Sequence, residues 1–125
     1  MRKIIETPNA PAPIGPYSQA VMVGDTLYTS GQIAINPRTG ELEIEDIKSE
    51  TDLVMRNLKA LLLEAEMDFS NVIKCSIFIS DMGNFTQINE VYGTYFSSNF
   101  PARETVEVAC LPKNVNVEIS AIAVK

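Results

Sequence analysis

Histidine is absent from this sequence, which removes Ser-His and Cys-His nucleophilic machinery together with the commonest ligand of transition metals. Any catalysis must draw on Arg, Glu, Asp, Tyr, Asn, hydroxyl groups or the backbone. Positive charge is scarce as well: ten Lys or Arg stand against sixteen Asp or Glu, for a formal net charge of −6, and the basic residues do not cluster. Affinity for nucleic acid comes largely from cations displacing counterions, so a phosphate backbone is excluded as a partner, and an anionic membrane surface with it. A single small carboxylate is not excluded, because a local positive site binds an anion inside an acidic protein. No apolar run approaches the roughly 20 residues that span a bilayer. The segment Met1 to Glu6 meets Pro8, Pro11 and Pro13 instead of the apolar stretch of a secretion signal, so a cytoplasmic location is expected. Cysteine is limited to Cys75 and Cys110, each within a strand-like apolar stretch, which reads as two buried thiols rather than a disulfide or a metal pair.

What remains is an ordinary globular composition, 46% apolar and 21% charged, in a length that suits one domain over residues 1–125. The Pro-rich opening, residues 6–16, cannot form a helix and is expected to be a structured loop. Tyr17–Val23 and Thr26–Ser30 read as two strands joined across Gly24-Asp25. Apolar residues at three- and four-residue steps predict a helix over Asp46–Glu66, with Ile47, Val54, Leu58, Leu61 and Ala65 on its buried stripe. Val72–Ser80 reads as a strand that places Ile73, Cys75, Ile77 and Ile79 on one face. A second helix is expected over Asn84–Ser98, ended by Pro101, and two further strands over Thr105–Leu111 and Val115–Val124. The fold class is therefore α+β in the order β-β-α-β-α-β-β, with room for an extra short strand at the start.

The acidic stretch Glu41, Glu43, Glu45 and Asp46 reads as a solvated edge leading into a helix whose positive end favours acids. In the last strand Val117, Ile119, Ala121 and Ala123 share one face, while Ile122 and Val124 lie on the other beside Glu118. Helices in so short a chain cover only one face of a sheet, so a second subunit is expected on the other.

Two charged residues carry the chemistry. Arg103 follows Phe100-Pro101-Ala102, and its planar fork pairs bidentately with carboxylates; it is either a clamp for a small anionic substrate or one half of a surface or subunit-interface ion pair. Glu118 is the only acid in the apolar final strand, a costly place for a carboxylate unless it is paired or used. It is either a general base or the partner of a basic group. Tyr17, Ser30 and Asn89 are weaker candidates, each equally at home in a hairpin, a turn or a helix surface.

The motifs Asn9-Ala10-Pro11, Ile14-Gly15-Pro16-Tyr17-Ser18-Gln19, Ser30-Gly31-Gln32, Pro101-Ala102-Arg103, Leu111-Pro112-Lys113 and Val117-Glu118-Ile119 resemble the Rid (YjgF) family, in the same order over about Lys3 to Val124. The resemblance implies a chorismate-mutase-like fold with helices packed on one face of the sheet. It further implies a homotrimer with a central barrel and ligand clefts between subunits. Members of the imine deaminase branch hydrolyse 2-iminobutanoate and 2-iminopropanoate, products of pyridoxal-phosphate enzymes such as threonine dehydratase, and use no metal or cofactor. By that resemblance Arg103 clamps the substrate carboxylate and Glu118 serves the water. Tyr17, Ser30 and Asn89 would line the cleft, and the backbone near Gly31 and Thr105 would donate hydrogen bonds. Thr105 stands where this branch usually carries Cys, and Cys110 where many members have Arg. The alternative is a non-catalytic, chaperone-like or regulatory trimer that binds a small carboxylate. RNA cleavage is disfavoured by the charge and the missing histidine.

Overall fold

In the computed structural model, which describes residues 1–125, one mixed sheet of six strands carries two helices on a single face. The elements in chain order are β1 (Arg2–Ile5), β2 (Ala20–Val23), β3 (Thr26–Thr29), α1 (Ile47–Glu64), β4 (Val72–Ile79), α2 (Phe85–Gly93), β5 (Ala102–Glu107) and β6 (Val117–Val124). The order across the sheet is β1-β2-β3-β6-β4-β5. All neighbours are antiparallel except β4 and β5, whose parallel pairing needs the crossover that α2 provides. The expected α+β order holds, with β1 as the additional strand.

Strict alternation makes β6 the spine of the sheet. Val117, Ile119, Ala121 and Ala123 are buried toward the helices, while Glu118, Ser120, Ile122 and Val124 are only partly covered on the other face. Against the buried face lie Leu53, Val54, Leu58 and Leu62 of α1 and Ile88 and Tyr92 of α2. Asp46 caps α1 by accepting from Ser49 N at 2.9 Å, a use of the acidic stretch that agrees with its reading as the approach to a helix. One acid does go inside: Glu50, 0% exposed, accepts from Asn116 N and Asn116 Nδ2, both at 2.8 Å, and so ties the first turn of α1 to the start of β6.

Beyond the corner where Gly31 comes up against Glu118 and the Ile33, Ile35, Leu111 and Val115 cluster packs on Phe78, the other face has no cover within the protomer. Ile4, Val21, Tyr28 and Ile122 stand side by side across four strands in register, with Ile4 45% and Tyr28 49% exposed.

Four expectations need correction. Helix α2 ends at Gly93, well before Pro101; the Thr94 hydroxyl donates to Val91 O at 2.7 Å, and the chain then turns so that Tyr95 and Phe96 meet Phe69. Ile73 is exposed rather than buried, because the register of β4 against β6 shifts between Val72 and Lys74 and a bulge puts Ile73 off the core face. Strand β5 begins at Ala102 and ends at Glu107, so Arg103 lies within the strand instead of before it. Cys110 lies past the end of β5 and is exposed; only Cys75 is a buried thiol.

Candidate active site

Glu118 sits opposite Phe78 on the uncovered face of the sheet. It is half-buried, has no ion-pair partner in the chain, and burial pushes its carboxyl above the usual carboxylate range. The backbone at Gly31 comes up against it: a Cβ there would lie 2.7 Å from Glu118 Cδ and 2.9 Å from Cγ, and closer still to Oε2. Gly31 keeps this place because Gln32 is fixed on β6, exchanging backbone hydrogen bonds with Ile119 at 2.8 and 3.1 Å. Its own N–H bonds to no backbone carbonyl, while its neighbours Ser30 and Gln32 both do.

A cavity of about 340 Å³ opens over this corner, with Tyr17, Ser30, Gly31 and Glu118 in its wall and Ile14 and Ile33 giving it an apolar side. Ser30 Oγ donates to Ser18 O at 2.5 Å, which leaves its lone pairs free to accept. The Pro-rich segment contributes Pro11, Ala12 and Ile14 to the wall. Its shape is set by Gln19, 3% exposed, whose Oε1 accepts from Thr7 N at 2.7 Å and whose Nε2 donates to Pro11 O at 2.8 Å, with Thr7 O and Ala10 O slightly farther away.

Arg103 belongs to a second cavity, of about 480 Å³, lined by Asn89, Tyr92, Gly93, Phe100 and Pro101. Its Nη1 donates to Asn89 Oδ1 at 2.7 Å, and its Cζ lies 5.1 Å from the Tyr92 ring centre and 5.6 Å from that of Phe85. No carboxylate of the chain pairs with it. The guanidinium is thus oriented by an amide and two ring faces while its charge remains available. Thr105, two residues on, shares its face of β5; its Oγ1 is buried without a partner.

Within one protomer the two cavities are separate. Arg103 pairs in register with Cys75, on the helix-covered face, and Glu118 with Phe78, on the uncovered face. The structure therefore brings Tyr17, Ser30, Gly31 and Glu118 together, brings Asn89 and Arg103 together with Thr105 adjacent, and leaves the two groups apart. Each holds half of what acid–base chemistry on a small anion requires: one a carboxylate with raised proton affinity, the other an unneutralised cation. No three His, Cys, Asp or Glu side chains converge as metal ligands do. No helix is long and apolar enough to cross a membrane.

The sequence reading passed over Gln19, Gln32 and Phe100. A signal existed for Gln19: a segment with prolines at positions 8, 11, 13 and 16 has few N–H groups, so its carbonyls need a donor from elsewhere. Phe100, 64% exposed at the rim beside Arg103, gave no such signal.

A family profile described as endoribonuclease L-PSP matches residues 7–125. A human protein named 2-iminobutanoate/2-iminopropanoate deaminase is 43% identical over 125 residues, covering 100% of this chain and 91% of its own. A crystal structure of a protein of the conserved Rid family from Yersinia pestis is 48% identical, with a TM-score of 0.97 over 100% of both chains. Another, of E. coli TdcF with bound serine, is 44% identical, with a TM-score of 0.95 over 98% of each chain.

Proposed function

Because this chain belongs to the Rid (YjgF) family, we propose that it hydrolyses small 2-imino acids, such as 2-iminobutanoate and 2-iminopropanoate, to 2-oxo acids and ammonia. One observation carries the reading: Arg103 and Glu118 are opposite charges, each left without an ionic partner in its own chain, on opposite faces of the sheet. A neighbouring copy set against the uncovered face brings the arginine cavity of one protomer to the glutamate cavity of the next. The apolar row Ile4, Val21, Tyr28 and Ile122 supports such packing, and a homotrimer whose sheets line a central barrel satisfies it.

In that seam the substrate carboxylate accepts two hydrogen bonds from Arg103, which Asn89 keeps in orientation. The Gly31 N–H and the backbone at Thr105 remain as donors to the substrate, and Tyr17 and Ser30 border the imine end. Glu118 takes a proton from water as the oxygen attacks C2 and the C=N π electrons move to nitrogen. The carboxyl then returns the proton to that nitrogen, giving a carbinolamine; Glu118 next carries the hydroxyl proton to the amino group as the C–N bond breaks and the C=O bond forms, so that ammonia leaves the 2-oxo acid. The chain needs no cofactor or metal for this sequence. Positioning together with general-base help worth roughly 10²–10⁴-fold is sufficient for so reactive a substrate. The substrates implied are products of pyridoxal-phosphate dehydratases, which puts the protein in the cytoplasm beside them.

A second reading, in which the same cleft only binds a small carboxylate, has the serine bound to TdcF in its favour. The endoribonuclease of the family description has little support here, since the net charge is −6 and histidine is missing. The test is to generate 2-iminobutanoate in situ with threonine dehydratase and follow 2-oxobutanoate. Wild type should accelerate its appearance, Arg103→Ala and Glu118→Ala should each lose most of that acceleration, and Arg103→Ala alone should lose binding of 2-oxobutanoate. Binding by wild type without acceleration selects the second reading.

A further inference from the structure

Phe85, Asn89 and Tyr92 follow one another along a single stripe of α2, at steps of four and three residues, and all three reach the same side chain of β5. Asn89 Oδ1 accepts from Arg103 Nη1 at 2.7 Å, and the guanidinium carbon stands over the Phe85 ring at 5.6 Å and over the Tyr92 ring at 5.1 Å.

The hydrogen bond to Asn89 fixes one nitrogen and leaves the guanidinium free to swing about it. A charge held over an aromatic face resists that swing, because the ring quadrupole attracts the cation. Tyr92 is the stronger of the two seats: it lies nearer to the guanidinium and is 4% exposed, whereas Phe85 is only half-buried. The attraction grows as water is excluded.

Tyr92 is itself held in place. Its ring centre lies 5.0 Å from that of Phe96, and Phe96 meets Phe69 edge-on at 5.5 Å. The early end of α2 at Gly93 thus has a use, since the turn that follows brings Phe96 back against Tyr92. The Tyr92 hydroxyl is buried beside the Cys75 thiol and has no hydrogen-bond partner. A thiol is a weak partner at best, so the hydroxyl does little to hold the ring, and the part with a task is the face under Arg103.

We propose that Tyr92 is a positioning residue of the clamp: its ring holds the Arg103 guanidinium ready in the orientation that receives the substrate carboxylate. It acts through Arg103 and does not touch the reacting atoms. The inference rests on the reading of Arg103 as the carboxylate clamp, and not on the fate of the imine. Ordering so long a side chain in advance lowers the entropy lost on binding. A tyrosine or a phenylalanine ring serves equally, and an aliphatic side chain does not.

The test measures binding of 2-oxobutanoate to the assembled protein by calorimetry, so no imine is needed. Arg103→Ala examines the clamp first: if that variant binds as wild type does, the clamp reading fails and this inference with it. Given a loss there, Tyr92→Phe should bind within about twofold of wild type and Tyr92→Leu roughly three- to thirtyfold more weakly, the range of a cation over an aromatic face. Ile88→Val, a change at a buried position of the same helix, should lower the unfolding temperature and leave the affinity unchanged, which separates loss of the ring from loss of packing. Side-chain NMR gives a readout that does not depend on Tyr92→Leu folding: the ring current should move the Arg103 Cδ and Nε protons upfield in wild type and in Tyr92→Phe. Arg103 protons at their free positions in wild type, Tyr92→Phe binding as weakly as Tyr92→Leu, Tyr92→Leu binding as tightly as wild type, or an equal weakening by Ile88→Val overturns the assignment.

Discussion

The backbone of Gly31 and the side chain of Glu118 occupy adjoining space: a Cβ on Gly31 would stand 2.7 Å from Glu118 Cδ, inside any normal contact. Gly31 is not in the left-handed region, so it is needed for room and not for its own conformation.

It follows that Gly31→Ala leaves the backbone unstrained and displaces the carboxylate. The clashing atoms are the far end of a flexible side chain, so the cost in stability should stay near 1 kcal/mol, at the lower end for an inserted methyl group. Activity should fall at least tenfold, because about 1 Å of misplacement in a reacting group is worth more than that. Steady-state kinetics on imine generated in situ, set beside urea unfolding, separate the two. Equal losses in both would show that Gly31 serves only packing.

Glu118 gives the pH dependence its sign. Burial raises its pKa above the ordinary glutamate value of 4.5, so over the window between the two the folded protein holds a proton that the unfolded chain has already released. The cost of ionising it in place is absent below its unfolded pKa, develops as pH rises through the window above 4.5, and persists at neutral pH. Glu118→Gln should therefore be more stable than wild type at neutral pH, with the difference closing as pH falls toward 4. The acid limb of kcat/KM should lie above the ordinary carboxylate range and vanish in that variant. Unfolding midpoints across pH that run parallel for the two proteins would contradict this.

The sequence made the long periodic elements legible and the local exceptions illegible. Helix α1 and strand β6 follow their apolar periods to within two residues, because burial on one face leaves little freedom. The end of α2 was missed because Tyr95 and Phe96 continue the apolar pattern while burying their rings against Phe69 from an irregular turn. Ile73 alternates correctly in sequence, and one bulge overrides it. The candidate residues were legible singly, and their division between two faces was not. That division depends on pairing Arg103 with Cys75 and Glu118 with Phe78, partners brought in by β4 far along the chain.

Glu50 was not singled out from the sequence, yet its removal should be felt in the fold. Glu50→Ala strips the acceptor from two N–H donors of Asn116 and opens a cavity beneath the start of β6. A loss of about 3 kcal/mol is expected, from donors left unsatisfied and packing lost. Glu50→Gln keeps one acceptor oxygen and should lose less than half of that. Urea denaturation at neutral pH measures both, and an Ala variant as stable as the Gln variant would mean that Asn116 finds another acceptor.

The uncovered face provides the last and widest test, since the proposed reaction needs two protomers. Ile122 ends the apolar row with Tyr28 beside it, partly covered in the single chain and facing away from the helices. Ile122→Asp puts a charge where a neighbour would have to bury it, at a cost of several kcal/mol per ion, more than one subunit contact readily absorbs. The protomer keeps its own core, because Val117, Ile119, Ala121 and Ala123 on the opposite side of β6 are untouched. Light scattering should then report a smaller particle with an unchanged circular dichroism spectrum, and imine hydrolysis should disappear although Arg103 and Glu118 are both present. Mixing Arg103→Ala with Glu118→Ala protein, each inactive alone, should restore part of the activity as protomers exchange, since an intact arginine cavity then meets an intact glutamate cavity. Failure of the mixture to recover activity after exchange is verified would place the two groups within one chain's reach and remove the shared seam from the mechanism.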